Sequence, residues 1–207
     1  MLEARDREVV VVDNALSLYG TQYTAKKAFF NFLGASFRIY GPDGNLQFYV
    51  KQKAFKLKEQ ITVFGDEAAT KPMLSIKARS ILDFAATYDV TEVATGEKVG
   101  AMKREGIRSA TLRDKWTILG VDDNKIGEIN EDSLLFALLR RFLSNLIPET
   151  FHVHVAGKEV GTIAQSFNPF ILTYRVDFSQ AGALLDPRLG VAMVVLLLAI
   201  EGRQEQR

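Results

Sequence analysis

The sequence predicts a mainly β fold: a closed antiparallel β-barrel around a buried C-terminal hydrophobic helix. Three observations carry that reading. Polar turns recur between extended apolar segments, at Gly41-Pro42-Asp43-Gly44-Asn45, Thr95-Gly96-Glu97-Lys98, Asp122-Asp123-Asn124-Lys125 and Ala156-Gly157-Lys158-Glu159. The flanking segments alternate apolar and polar residues, the period of a strand with one covered face. The run from Leu189 to Ile200, broken only by Gly190, is apolar on every side and needs enclosure all round.

Composition bounds the rest. A chain of 207 residues suits one β-barrel, so residues 1–207 read as a single domain. A net charge of +1 supplies no global field toward polyanions. No nucleic-acid partner is therefore expected, and attraction to an anionic surface must come from a local patch. The chain has no cysteine, which removes disulfides, thiolate metal sites and cysteine nucleophiles and suits a reducing cytoplasm. Met1 to Arg7 lacks a basic start followed by an apolar stretch, so no signal peptide is expected. The C-terminal apolar run falls short of the roughly 20 residues of a membrane span. The expected location is cytoplasmic, with peripheral membrane association left open.

From Phe37 onward, strand and turn alternate. The Gly41–Asn45 turn is built of residues that tolerate positive φ. Ile61, Val63, Leu74 and Ile76 mark strands. Phe84, Ala86, Tyr88 and Val90 share a face leading into the Thr95 turn, and Trp116 and Ile118 lead into the Asp122 turn. Phe151, Val153 and Val155 precede the Ala156 turn, with His152 and His154 on the opposite face. Ile171, Thr173, Arg175 and Asp177 mark a last strand. Many short strands with regular turns argue a sandwich or a barrel, and a barrel can wrap a helix. Three turns are followed by an aliphatic-glycine pair: Val99-Gly100, Ile126-Gly127 and Val160-Gly161. Such glycines mark bulges or crowded backbones in a curled wall. No helix opens directly after them, so they are not phosphate loops.

Two helices interrupt the strands. One runs from Asp132 or Ser133 to Leu146 and stops before Pro148, with Leu134, Leu135, Leu138, Leu139, Phe142, Leu143 and Leu146 on one face. It docks on the barrel, on a membrane surface or on a protein partner. The other opens at Asp186-Pro187, an N-cap followed by proline at the first helical position. Its valines are mediocre helix formers and leave a strand as the alternative; the cap and the length decide for a helix.

The hairpin Tyr40-Gly41-Pro42-Asp43-Gly44-Asn45-Leu46, the following Val50-Lys51-Gln52-Lys53-Ala54-Phe55-Lys56-Leu57, and the closing Leu185-Asp186-Pro187-Arg188-Leu189 occur in an order that resembles LURP-one-related proteins. These belong to a superfamily with tubby-like proteins and phospholipid scramblases. The similarity covers roughly residues 22 to 201 and implies a barrel of about twelve strands around a central helix. It also implies an association with phosphoinositides through surface basic residues, as in tubby proteins. Fold does not transmit function. The scramblases' acidic, calcium-associated stretch is not matched: Val176 to Ala183 offers one carboxylate, too few for calcium.

Lys51, Lys53, Lys56 and Lys58 form the densest basic cluster, with Lys77 and Arg79 on a strand expected nearby. A bulge near Ala54 would turn the first four to one face. They are the candidate residues for an anionic phospholipid headgroup; a solvated strand face is the competing reading. His152 and His154 lie two apart on one face with no local carboxylate, short of the third ligand that zinc needs. Asp122, Asp123 and Asn124 read as a turn rather than a calcium loop, and Glu128, Glu131 and Asp132 as acids at a strand end and the helix start that follows it. No catalytic residue, metal or cofactor is assigned. The expected function is a non-enzymatic binding or regulatory module for an anionic lipid or a protein partner. The alternatives are a carrier or enzyme using a barrel-end groove, and a structural domain docking through the Leu134–Leu146 helix.

Overall fold

The computed structural model describes residues 19–28, 36–51, 60–82, 85–104, 115–131, 149–166, 168 and 171–200. Twelve strands appear among them: β1 (Gln22–Ala28), β2 (Ser36–Tyr40), β3 (Leu46–Lys51), β4 (Gln60–Phe64), β5 (Pro72–Leu82), β6 (Ala85–Glu92), β7 (Lys98–Arg104), β8 (Lys115–Leu119), β9 (Lys125–Glu131), β10 (Thr150–Val155), β11 (Lys158–Ser166) and β12 (Ile171–Asp177). Each pairs antiparallel with its sequence neighbours, and β1 pairs with β12 to close the barrel. Helix α1 (Pro187–Ile200) fills the lumen. The predicted barrel around a C-terminal helix is the observed fold.

Because consecutive strands run antiparallel, their connections alternate between the two mouths of the barrel. The turns at 41–45, 65–71, 93–97, 120–124 and 156–157 share one mouth with the entry to α1. The four turns read from the sequence are all hairpin turns. The fifth, at 65–71, carries little glycine; the Asp66 carboxylate builds it by accepting from the Thr70 and Lys71 amides at 3.0 and 2.8 Å. The Leu134–Leu146 segment lies outside the described residues.

Each of these five hairpins has one register shift just inside its second strand, where Gln47, Met73, Val99, Ile126 or Val160 is the extra residue. Such bulges add the twist that curls a sheet into a barrel. In three hairpins the next residue is glycine, and the reason is contact. A Cβ on Gly100, Gly127 or Gly161 would lie 2.6, 2.2 or 2.3 Å from the carbonyl oxygen of Leu119, His154 or Asp177.

Inward-facing side chains of the strands meet α1 in one core that includes Phe37, Phe48, Ile76, Trp116, Phe151 and Tyr174. Both ends of the helix are held by charge. The Asp186 carboxylate caps the N-terminus, accepting from the Arg188 amide at 2.9 Å. The buried Arg188 guanidinium pairs with Asp186 at 2.7 Å and with Glu92 of β6 at 3.0 Å. At the opposite mouth the buried Lys27 ammonium donates to the Leu198 carbonyl. No helix among the described residues is long and apolar enough to cross a membrane.

Candidate functional site

Alternation along β5 sends Leu74 and Ile76 inward and Ser75, Lys77 and Arg79 outward. On β6 the inward set is Tyr88 and Val90, and the outward set holds Asp89 and Thr91. Lys98 opens β7 beside them. The β8–β9 turn reaches across from the mouth with Asp123. Ser75, Lys77, Arg79, Asp89, Thr91, Lys98 and Asp123 thus line one open groove of about 710 Å³ on the outer wall.

The groove is a charge lattice. Arg79 grips Asp89 with two hydrogen bonds, Nε to Oδ2 at 2.7 Å and Nη2 to Oδ1 at 2.6 Å. Its Nη2 also donates to Asp123 Oδ1. Lys98 Nζ reaches the same Asp123 oxygen at 2.7 Å and stands 3.7 Å from Asp89. Hydrogen bonds from Arg79 and Lys98 hold the Asp123 carboxyl down to about 2, and those carboxylates push Arg79 above the ordinary arginine range. Lys77 is exposed, with no carboxylate at ion-pair distance among the described residues. Its strand neighbours are Gln60 and Asp89.

Of the six predicted basic residues, Lys77 and Arg79 share this groove. Lys51 is exposed at the end of β3, with β4 between it and β5, a separation of about 10 Å at the usual strand spacing. Lys53, Lys56 and Lys58, with the predicted bulge near Ala54, lie outside the described residues. Sequence reasoning missed Asp89, Lys98 and Asp123 as groove residues. Asp89 was legible by parity between Tyr88 and Val90. Asp123 was not, because a turn residue's reach depends on how the neighbouring hairpins pack.

A second polar cluster corrects the reading of the histidines. Glu159 on β11 supplies a carboxylate to both histidines. Its Oε1 is 3.2 Å from His152 Nδ1 and its Oε2 is 3.9 Å from His154 Nε2. The bulge at Val160 sets Glu159 opposite His154. Among the described residues no group of three His, Cys, Asp or Glu is arranged to hold a metal. Glu128 and Glu131 lie on β9, which Glu131 ends, and Glu128 pairs with Lys125 at 2.7 Å; Asp132 lies outside the described residues.

A closed twelve-stranded antiparallel barrel threaded by an apolar C-terminal helix is a distinctive frame. The profile of the LURP-one-related family matches residues 46–198. The chain belongs to the LURP-one-related family. A solved X-ray structure of an Arabidopsis thaliana protein superposes with a TM-score of 0.50, covering 90% of this chain and 96% of that one at 15% identity. At that identity the likeness speaks for the fold alone. No curated protein matches the sequence. Membership of the LURP-one-related family points to a binding or regulatory domain.

Proposed function

We propose that this LURP-one-related chain is a non-enzymatic binding module whose β5–β7 groove takes a phosphate-bearing anion of the membrane-headgroup kind. The supporting observation is the convergence of Lys77, Arg79 and Lys98 in one open groove. Three cations against two carboxylates leave the groove one positive charge in excess. The lumen is filled by α1, so a ligand binds outside it, and the groove that gathers these cations lies on the outer wall. Lys51, one strand beyond β4, extends the positive surface.

The test is sedimentation with phosphatidylcholine vesicles, with and without a phosphatidylinositol bisphosphate. Wild-type protein should sediment with the anionic vesicles only, and less so as salt rises. Lys77→Glu should weaken binding about tenfold or more, since each charge near an anionic surface is worth about 1 kcal/mol. Wild-type protein that ignores the anionic vesicles at low salt would end this reading.

A further inference from the structure

Asp123 holds a position inside the groove that its own turn does not require. Resting on the groove reading above, we propose that Asp123 is a built-in competitor: its carboxylate takes the anion's seat between Arg79 and Lys98, and a ligand phosphate binds by displacing it.

The seat is defined by geometry. One oxygen, Asp123 Oδ1, receives both the Arg79 guanidinium and the Lys98 ammonium. These donors come from β5 and β7, with β6 between them, so the oxygen bridges two strands as a phosphate oxygen would. The two carboxylates of the groove are not equivalent. Asp89 stands in the middle of β6, backed by ladder pairing on both sides and gripped twice by Arg79. Asp123 stands at a turn tip, with its side chain 44% exposed. It can leave without breaking a strand.

The turn is closed by other groups. Gly120 N donates to Asn124 O at 2.9 Å and Asp123 N to Gly120 O at 3.1 Å. The Asp122 carboxylate, not that of Asp123, accepts from the Asn124 amide and side chain. Asp123 has a φ of +65°, a left-handed conformation that asparagine or glycine adopts at least as readily. The turn therefore explains the backbone of Asp123 and leaves its charge to the groove. When Asp123 swings away, three cations face one carboxylate and the excess charge doubles.

Asp123→Asn keeps the left-handed turn and removes the competing charge. Glu67→Gln is the matched control, because Glu67 pairs with Arg38 outside the groove and the net charge changes equally. Binding is read by sedimentation with phosphatidylinositol bisphosphate vesicles and by competition with free inositol trisphosphate. Asp123→Asn should bind about fivefold tighter than wild type, the increment for one charge near an anionic surface. Glu67→Gln should bind as wild type does, and free inositol trisphosphate should compete with both. If wild type binds and Asp123→Asn binds no tighter, the competitor is overturned while the groove reading stands. An equal gain in Glu67→Gln overturns it as well, since net charge then suffices. Failure of inositol trisphosphate to compete overturns the phosphate seat. If neither wild type nor Asp123→Asn binds, the groove reading falls and the competitor falls with it.

Discussion

Lys27 Nζ donates to the Leu198 carbonyl oxygen at 3.1 Å, joining the first strand of the barrel to the last turn of its central helix across 171 positions of sequence. The last carbonyls of a helix lack intrahelical partners and carry the negative end of its dipole, so a cation there is favourable. Lys27 is 4% exposed and its ammonium lies 5.2 Å from the centre of the Phe37 ring, which adds a cation–π contribution.

Lys27→Met keeps the apolar stem and removes the donor. It should lower stability by about 1–3 kcal/mol in urea denaturation, the range for a lost charge-assisted hydrogen bond. Lys26 faces outward on the same strand, so Lys26→Met should change stability by no more than about 0.5 kcal/mol. Equal effects in the two variants would mean that the Leu198 contact contributes nothing.

Val195 sits at the centre of α1 and is fully buried. Val195→Asp places an unpaired charge inside the barrel, at a cost of several kcal/mol against a total margin of about 5–15. Expression should yield no cooperatively folding protein. A sharp thermal transition in this variant would contradict the enclosed helix.

Gly157 and Gly161, on one hairpin, should respond differently. Gly161→Ala drives a Cβ into the Asp177 backbone carbonyl at 2.3 Å and should cost about 3 kcal/mol or more. Gly157→Ala meets no atom within 4 Å but holds a φ of +76°, and its penalty is the left-handed one, about 1–2 kcal/mol. Thermal midpoints of the two variants give the order; its reversal would remove the crowded-wall explanation.

Acid should loosen the turn mouth. Asp43, Asp66, Asp122, Asp123 and Asp177 all titrate below the ordinary aspartate range, chiefly through hydrogen bonds from Asn45, Thr70, Asn124, Arg79 and Ser179 in turn. A depressed folded value means that the stabilisation is complete above the unfolded value of about 3.9 and is lost as pH falls through the folded one. For Asp123 that window closes at about 2. The thermal midpoint should hold from neutral pH to about 5 and drop below about 4. Asp123→Asn should drop less steeply between about 4 and 2, and an identical acid limb would deny Asp123 any share in it.

Hairpin chemistry is local, and so it is readable. Gly41–Asn45 and Asp122–Lys125 announce their turns through residues that tolerate positive φ, and Asp186-Pro187 announces the start of α1 through the cap geometry seen at Arg188 N. The fifth turn escaped because Asp66 forms it with side-chain hydrogen bonds rather than with a glycine-rich motif. Strand β1 was equally quiet, since Lys26-Lys27 interrupts its apolar alternation while Lys27 nonetheless points inward.

By itself the sequence determined the alternation of strands and turns, the apolar helix that demands enclosure, and the aliphatic-glycine pairs that bend the wall. All three depend on the period and conformational freedom of neighbouring residues. Only the tertiary structure decided that Lys77 and Arg79 share a groove with Asp89, Lys98 and Asp123, that Glu159 stands beside both histidines, and that Lys27 meets Leu198. These arrangements are set by strand register and barrel closure, which bring together residues from separate strands whose spacing in sequence carries no trace of their contact.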